Sequence, residues 1–110
     1  SAFKALNYAG AVAGFRSYLN ANPKGKHALD AHYYLGDALF KQKDYERAVI
    51  EFGTVQEKSP SSFFGRRSML RLAQSFKAMG KTKDAKAFAQ LLIQSSPESD
   101  EAKTARKMFK

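Results

Sequence analysis

The chain has 110 residues, of which 44% are hydrophobic and 26% are charged, a composition typical of one folded domain and not of a disordered tail. Lys and Arg total 19 against 10 Asp and Glu, which gives a net charge of +9. The sequence has no Cys, which excludes a disulfide framework, a thiolate metal site and a cysteine nucleophile. Its apolar runs are also too short for a membrane span.

Three prolines divide the chain at equal intervals. Pro60 lies 37 residues after Pro23, and Pro97 lies 37 residues after Pro60. Other residues share this period: Ala11, Ala48 and Ala85; Phe15, Phe52 and Ala89; Tyr18, Val55 and Leu92. A fixed period of this length is typical of solenoid repeats. The sequence therefore predicts one domain, 1–110, built from a partial unit 1–23, full units 24–60 and 61–97, and a capping helix 98–110.

The first full unit is predicted to contain two helices. Apolar residues recur at spacings of three and four through residues 28–42, as they do on one face of an α-helix. The same pattern continues through residues 45–58 after a very short turn that includes Lys43. Asp44 precedes the second helix and can cap its free N–H groups.

The second full unit repeats this scheme, with predicted helices at residues 62–79 and 82–95. Gly80 is expected to stop the first of these helices, and Thr82 to cap the second. The proline-containing links are expected to end helices. The sequence shows no sustained alternation and no Asn-Gly turn that would indicate strands.

The order of small and large residues in both full units resembles the tetratricopeptide repeat. The first unit carries Leu35, Gly36, Leu39, Tyr45, Ala48, Phe52, Val55 and Pro60, and the second carries Leu72, Ala73, Phe76, Gly80, Ala85, Ala89, Leu92 and Pro97. The resemblance implies an all-α, right-handed superhelix of about three helix-turn-helix units with a C-terminal capping helix. The small residues Gly36, Ala48, Ala73 and Ala85 are expected where helices cross closely.

The length of the repeat indicates one branch of this family. One repeat here spans 37 residues, whereas the usual tetratricopeptide repeat has about 34. The chain is most similar to the C-terminal domain of the YbgF/CpoB family of the periplasmic Tol-Pal system. The matching residues are Tyr8, Ala11, Phe15, Tyr18, Leu19, Pro23, Gly25, Ala28, Ala31, Tyr33, Leu35 and Gly36. This resemblance implies a periplasmic, non-enzymatic scaffold that binds a TolA-type protein and coordinates envelope constriction and peptidoglycan synthesis in cell division.

The family resemblance also implies segments that this chain lacks. A signal peptide and an N-terminal coiled coil, through which members of the family form oligomers, are expected upstream of Ser1. Residues 2–6 run directly into Asn7, where the family places a short turn, so either a turn is deleted or residues are missing between Leu6 and Asn7.

Other partners remain as alternatives. Outer-membrane assembly lipoproteins share the long link, so an adaptor of that type is one. Arg67 and Arg71 resemble the basic pair of cytosolic cochaperones that bind acidic peptide tails, although Tyr34 departs from that pattern. Arg66, Arg67 and Arg71 could attract nucleic acid or an anionic membrane surface, but charge alone gives only non-specific binding. No specific nucleic-acid partner is predicted.

The polar residues suggest no catalytic site. His27 and His32 are five residues apart and have no third ligand nearby, so a metal site is not predicted. His27 is expected in a link and His32 in a helix-packing position. The acidic groups Glu46 with Glu51, and Glu98 with Asp100 and Glu101, are interpreted as solvated surface charges and first-turn helix charges. We therefore predict neither an enzyme nor a cofactor.

Binding is the function that the sequence favours. The resemblance implies that the first helix of each unit lines a concave face, where residues pointing away from the packing stripe are exposed. These are Asp30, Tyr33, Tyr34, Asp37 and Lys41, and Arg67, Leu70, Arg71, Gln74 and Lys77. Tyr and Arg are enriched in binding hot spots, and Arg can fork onto a carboxylate. A peptide with acidic groups is the predicted ligand, unless the tyrosines pack between helices and the arginines form a solvated face.

Overall fold

The computed structural model describes the backbone of residues 2–109 and the side chains of residues 7–109. It contains six helices, which are α1 (Ala2–Ala21), α2 (Ala28–Lys41), α3 (Tyr45–Lys58), α4 (Phe63–Ala78), α5 (Thr82–Ser95) and α6 (Asp100–Lys107). Residues 2–109 include no strand, so the all-α prediction is confirmed. The ends of α2 to α5 lie within one residue of those predicted.

Tight turns join α2 to α3 and α4 to α5. Lys43 and Gly80 occupy the same register of the repeat, and their φ angles of 64° and 78° are both left-handed, which confirms Gly80 as the stop of α4. Asp44 caps α3 by accepting a hydrogen bond of 3.3 Å from the backbone N–H of Arg47, also as predicted. The predicted cap of α5 is wrong, because Thr82 is already helical. Lys81 takes the register of Asp44 and makes no side-chain cap.

The partial unit at the N-terminus is one uninterrupted helix in the described residues. By the 37-residue period, Leu6 corresponds to the turn residues Lys43 and Gly80, yet α1 runs through it without interruption. Within the described residues, the partial unit therefore contains α1 and no second helix. Packing of the side chains of residues 2–6 lies outside the part of the chain whose side chains are described.

Packing between the helices is unequal on the two sides of the stack. Each helix contacts the next along the chain, and α4 additionally contacts both α2 and α6. Within the described residues, α1, α3 and α5 make no contacts with one another. Because α2, α4 and α6 approach more closely, they form the inner side of a curved solenoid.

The core consists of two clusters of buried residues, and it depends on small residues at the helix crossings. Phe52 of α3 is completely buried, and its ring lies against α2 at Gly36, where an added Cβ would come within 2.9 Å of it. Gly65 of α4 is more tightly restricted, because a Cβ there would lie 1.9 Å from the backbone oxygen of Ser59. The buried Ala48, Ala73 and Ala85 agree with the prediction for the helix crossings.

The last helix ends the stack with a charged surface. Ser99 caps α6 by accepting a hydrogen bond of 3.1 Å from the backbone N–H of Ala102. Ala102 and Ala105 pack against α5 and α4, whereas Lys103, Arg106 and Lys107 are exposed. None of the helices in the described part of the chain has the length and hydropathy required to cross a membrane.

Candidate functional site

A groove of about 630 Å³ lies on the inner side of the solenoid, and we call it the inner groove. Phe40 at the end of α2, four residues of the second half of α4, and the chain just after α6 line it. The lining residues are Phe40, Arg71, Gln74, Lys77, Ala78 and Met108. The inner groove thus extends from the end of α2 across α4 to the chain just after α6.

Arg71 is held in a defined orientation at this groove. Its guanidinium lies 4.5 Å from the centroid of the Phe40 ring, within the range of a cation–π contact. Its Nη1 donates a hydrogen bond of 2.9 Å to Oε1 of Gln74, and its Nη2 lies 3.3 Å from Oδ1 of Asp37. That carboxylate oxygen is buried and accepts no hydrogen bond from the described residues, so its contact with Arg71 is electrostatic.

Two lysines extend the same arrangement along the groove. Nζ of Lys41 is 3.1 Å from Oδ2 of Asp37 and 5.9 Å from the centroid of the Tyr8 ring. Nζ of Lys77 donates a hydrogen bond of 2.8 Å to the backbone oxygen of Met108 and lies 5.4 Å from the centroid of the Phe109 ring. Each of the three cations therefore lies beside an aromatic ring.

The inner groove has an excess of positive charge. Three positive charges lie at or beside the groove, on Lys41, Arg71 and Lys77. One carboxylate, that of Asp37, lies close to the first two of them. An anionic group of a ligand would therefore meet an attractive potential. The aromatic rings beside the cations would supply apolar contact area.

Tyr33 does not lie in the groove, which corrects the expectation that it is exposed. The residue is only 4% exposed, because its ring fills the space between α3 and α4. The ring centroid lies 5.8 Å from that of Phe52 and 4.7 Å from that of Phe64. Tyr33 therefore packs between helices, the alternative left open by the sequence.

Arg67 is occupied by the same tyrosine. Its Nε donates a hydrogen bond of 2.9 Å to the hydroxyl oxygen of Tyr33, and this bond raises the pKa of the Arg67 guanidinium above its ordinary value. The guanidinium also lies 5.5 Å from the centroid of the Phe63 ring. Arg67 is thus a packing and hydrogen-bonding residue between α2 and α4, beside the inner groove.

The remaining predicted residues are divided between two places. Tyr34 is 45% exposed, but it lines a different cavity, between α1 and α2, and Asp30 lines that cavity too. Leu70 packs against the core formed by α4, α5 and α6. Of the predicted site residues, Arg71, Gln74 and Lys77 line the inner groove, and Asp37 and Lys41 join it through ion pairs.

The sequence analysis missed Phe40, Ala78 and Met108. Phe40 is three residues after Asp37, so the helical period places both on one face, and this signal was available. Met108 could not be found in that way, because it reaches the groove only through the packing of α6 on α4.

Two ion pairs outside the inner groove join neighbouring helices. Nδ1 of His32 lies 2.7 Å from Oε1 of Glu51 between α2 and α3, and Nε of Arg66 lies 3.6 Å from Oε1 of Glu101. Glu101 lies in the first turn of α6, as expected. Neither Glu51 nor Glu101 is the solvated charge that the sequence predicted, because each pairs with a basic side chain on a neighbouring helix. Among the described residues, no three His, Asp or Glu side chains lie close enough to hold a metal ion.

Comparison with known protein families gives two matches that together span most of the chain. A family model described as "Tetratricopeptide repeat" matches residues 1–62, and a second model with the same description matches residues 67–99. No curated protein matches the chain with significance.

Proposed function

The chain belongs to the tetratricopeptide repeat family, and from this premise we propose that it binds an acidic, extended segment of a partner protein in the inner groove. Domains of this family generally mediate protein–protein interactions, and their proteins are typically non-enzymatic scaffolds.

The orientation of Arg71 is the observation that carries the proposal. A flexible arginine loses side-chain entropy when it binds a ligand, but here Phe40 and Gln74 already fix the guanidinium at the groove. A ligand carboxylate that reaches Arg71 gains a charge-assisted hydrogen bond. Such a carboxylate would compete with Asp37, whose contact at 3.3 Å lacks hydrogen-bond geometry.

The test is a titration of the protein with fluorescein-labelled extended peptides, one rich in Glu and one with Gln at the same positions. Anisotropy is expected to show saturable binding of the Glu peptide that weakens as salt is added. Arg71→Gln is expected to weaken binding by about tenfold or more, the loss of a hydrogen bond to a charged group. Arg47→Gln is the matched control, because Arg47 is on α3, exposed, and paired with Asp44.

Two results would contradict this site. Equal affinity for the Glu and Gln peptides would show that carboxylates are not recognised. Equal losses for Arg71→Gln and Arg47→Gln would show that net charge alone determines binding. Arg67 is left unchanged, since replacing it would break its hydrogen bond to buried Tyr33.

We also propose a biological setting for this binding. The 37-residue spacing of Pro23, Pro60 and Pro97 supports a periplasmic scaffold similar to the YbgF/CpoB family, with a TolA-type protein as the partner and a role in coordinating envelope constriction with peptidoglycan synthesis. Surface plasmon resonance against an immobilised TolA-type domain is expected to show binding that Arg71→Gln weakens. Binding to an acidic chaperone tail and not to the TolA-type domain would instead support the cochaperone alternative.

A further inference from the structure

A row of side chains runs along the face of α4 opposite its buried residues, and we call it the α4 stripe. The spacing of its members alternates between four and three residues, as on one face of an α-helix. They are Phe63, Arg67, Leu70, Gln74 and Lys77. Gln74 and Lys77 line the inner groove, and the guanidinium of Arg67 lies 5.5 Å from the centroid of the Phe63 ring. The α4 stripe therefore continues from the inner groove to the first residue of α4.

Phe63 is the most exposed aromatic residue among residues 7–109, with 54% of its surface open to solvent. In the other two units the 37-residue period gives Lys26 and Asp100 at this position, and both are exposed. The repeat therefore does not require an aromatic ring here. Exposed aromatic residues beside arginine are typical of protein interfaces, where both residue types are enriched.

The α4 stripe lies in the interior of the stack and not at one of its ends. Helix α2 contacts α4 on one side and α6 contacts it on the other. Because each unit of a solenoid contacts only its neighbours, a further unit at either end would not pack on α4. The stripe is thus open because it faces the concave side of the solenoid.

The charge of α4 favours an acidic segment along the whole helix. Residues 63–78 contain four basic residues and no Asp or Glu. Two of the four, Arg67 and Lys77, donate hydrogen bonds to neutral oxygens, those of the Tyr33 hydroxyl and the Met108 backbone. These contacts leave the two positive charges in place. Because α2 carries two carboxylates, the potential is more attractive to an acidic segment along α4 than across α2.

Distances along α4 determine the spacing of residues in such a segment. Arg71 lies eight residues after Phe63, which is about 12 Å along the axis of an α-helix. An extended chain covers this distance in about four residues. Residues four apart in an extended chain point to the same side, whereas residues three apart point to opposite sides. A side chain four residues from the carboxylate that binds Arg71 can therefore reach Phe63.

We propose that the acidic segment of the partner protein lies along α4 and packs an apolar side chain on the exposed ring of Phe63, four residues from the carboxylate that meets Arg71. This spacing rests on the proposed function, because Arg71 is taken as the site of the carboxylate. The ligand is then acidic over the inner groove and apolar at the other end of α4.

The probes are fluorescein-labelled peptides of nine residues with Glu at the third, fifth and seventh positions, which place all three carboxylates on one side of an extended chain. The parent peptide has Ser at the other positions. The first probe has Leu at both ends, an even number of residues from every Glu, and so serves either chain direction. The second probe has Leu at the second and eighth positions. The two probes have the same composition and charge, but the second directs Leu away from the carboxylate side.

Two variants of the protein form a matched pair, Phe63→Gln and Ile50→Gln. Each replaces an exposed apolar side chain with a polar one, since Phe63 is 54% and Ile50 65% exposed. Ile50 lies in α3 and does not line the inner groove. Phe63→Leu is the conservative variant, because it keeps an apolar side chain at the same place. Circular dichroism shows whether each variant keeps its helices.

In anisotropy titrations, the first probe is expected to bind about fivefold or more tighter than the parent peptide, because part of the Leu side chain leaves water. The second probe is expected to gain less than half as much. Phe63→Gln is expected to bring the ratio of the two affinities, first probe to parent peptide, close to one. Ile50→Gln is expected to leave that ratio unchanged, and Phe63→Leu to keep most of it. Arg71→Gln is expected to weaken all three peptides.

The outcomes separate this contact from the inner groove itself. Binding of the parent peptide that does not depend on Arg71 would overturn both. If that binding does depend on Arg71, equal affinities of the two probes, or equal ratios in Phe63→Gln and Ile50→Gln, would overturn the contact with Phe63 alone. A dimer in sedimentation equilibrium that Phe63→Gln dissociates would also overturn it, because a second copy of the chain would then cover the ring.

Discussion

The rings of Phe15 in α1 and Phe52 in α3 hold the same position in the repeat, but they have different surroundings. Phe52 is 0% exposed beneath α2, whereas Phe15 is partly exposed in the cavity between α1 and α2. In a solenoid each unit is completed by its neighbour. Among the described residues, an aromatic residue in this register is therefore buried where a further helix packs over it, as α2 does over Phe52, and partly exposed where none does.

The largest loss of stability is expected when each of the two rings is removed in turn. Phe52→Ala leaves a cavity in the middle of the stack and is expected to lower the free energy of unfolding by about 3–5 kcal/mol. Phe15→Ala removes a ring that is only partly covered and is expected to cost less than half as much. Urea denaturation followed by circular dichroism measures both. Equal losses would show that the surroundings of Phe15 are as well packed as the interior.

Glycines give the next largest contrast. In Gly65→Ala the new methyl group would collide with the backbone oxygen of Ser59 at 1.9 Å, and we expect a loss of about 2–3 kcal/mol in unfolding free energy. In Gly14→Ala the methyl group meets no atom, so the better helix propensity of Ala is expected to raise stability by about 0.5–1 kcal/mol. Thermal denaturation of the two variants is expected to show shifts of opposite sign.

A smaller loss of stability is expected from a substitution at the crossing of α2 and α3. Gly36→Ala brings a Cβ to 2.9 Å from the Phe52 ring, and after the gain in helix propensity we expect a net loss of about 1–2 kcal/mol. Phe52→Leu in the same chain removes the ring that is contacted. The double mutant is therefore expected to lose less unfolding free energy than the two single mutants lose in sum. Strict additivity would contradict the crossing as described.

The smallest effect concerns the other end of the stack. Ser62 and Ser99 cap α4 and α6 through hydrogen bonds of 3.0 and 3.1 Å, and loss of either is expected to cost about 1 kcal/mol. Ser99→Ala affects a terminal helix, so hydrogen exchange is expected to accelerate in α6 alone. Ser62→Ala affects an interior helix and is expected to accelerate exchange in α2 to α5 as well. Identical exchange patterns would mean that the stack unfolds as a single unit.

The sequence was sufficient for much of the fold, because its signals are local or periodic. The spacing of Pro23, Pro60 and Pro97 gave the repeat, and the small residues gave the helix crossings. The cap of α5 was missed by one residue, since Lys81 takes the register of Asp44 without its side-chain oxygen. Comparing the two turns position by position would have found this.

The candidate site was less accessible from the sequence, because burial depends on neighbouring helices. Tyr33 and Tyr34 are consecutive, so an α-helix points them in different directions. The helical period does not show, however, that α3 and α4 enclose Tyr33 and leave Tyr34 exposed. Arg67 and Arg71 are one turn apart, yet Tyr33 engages one and Asp37 the other. These differences arise from contacts between units and have no local signal.

The unequal contacts between helices also determine how the molecule can deform. The inner edge, where α4 contacts α2 and α6, resists separation, whereas α1, α3 and α5 do not contact one another within the described residues. Bending that spreads the outer helices therefore breaks few contacts, while stretching the inner edge must separate Arg71 from Asp37. The solenoid is expected to behave as an elastic strip with different stiffness on its two faces, in which the width of the inner groove and the curvature of the whole change together.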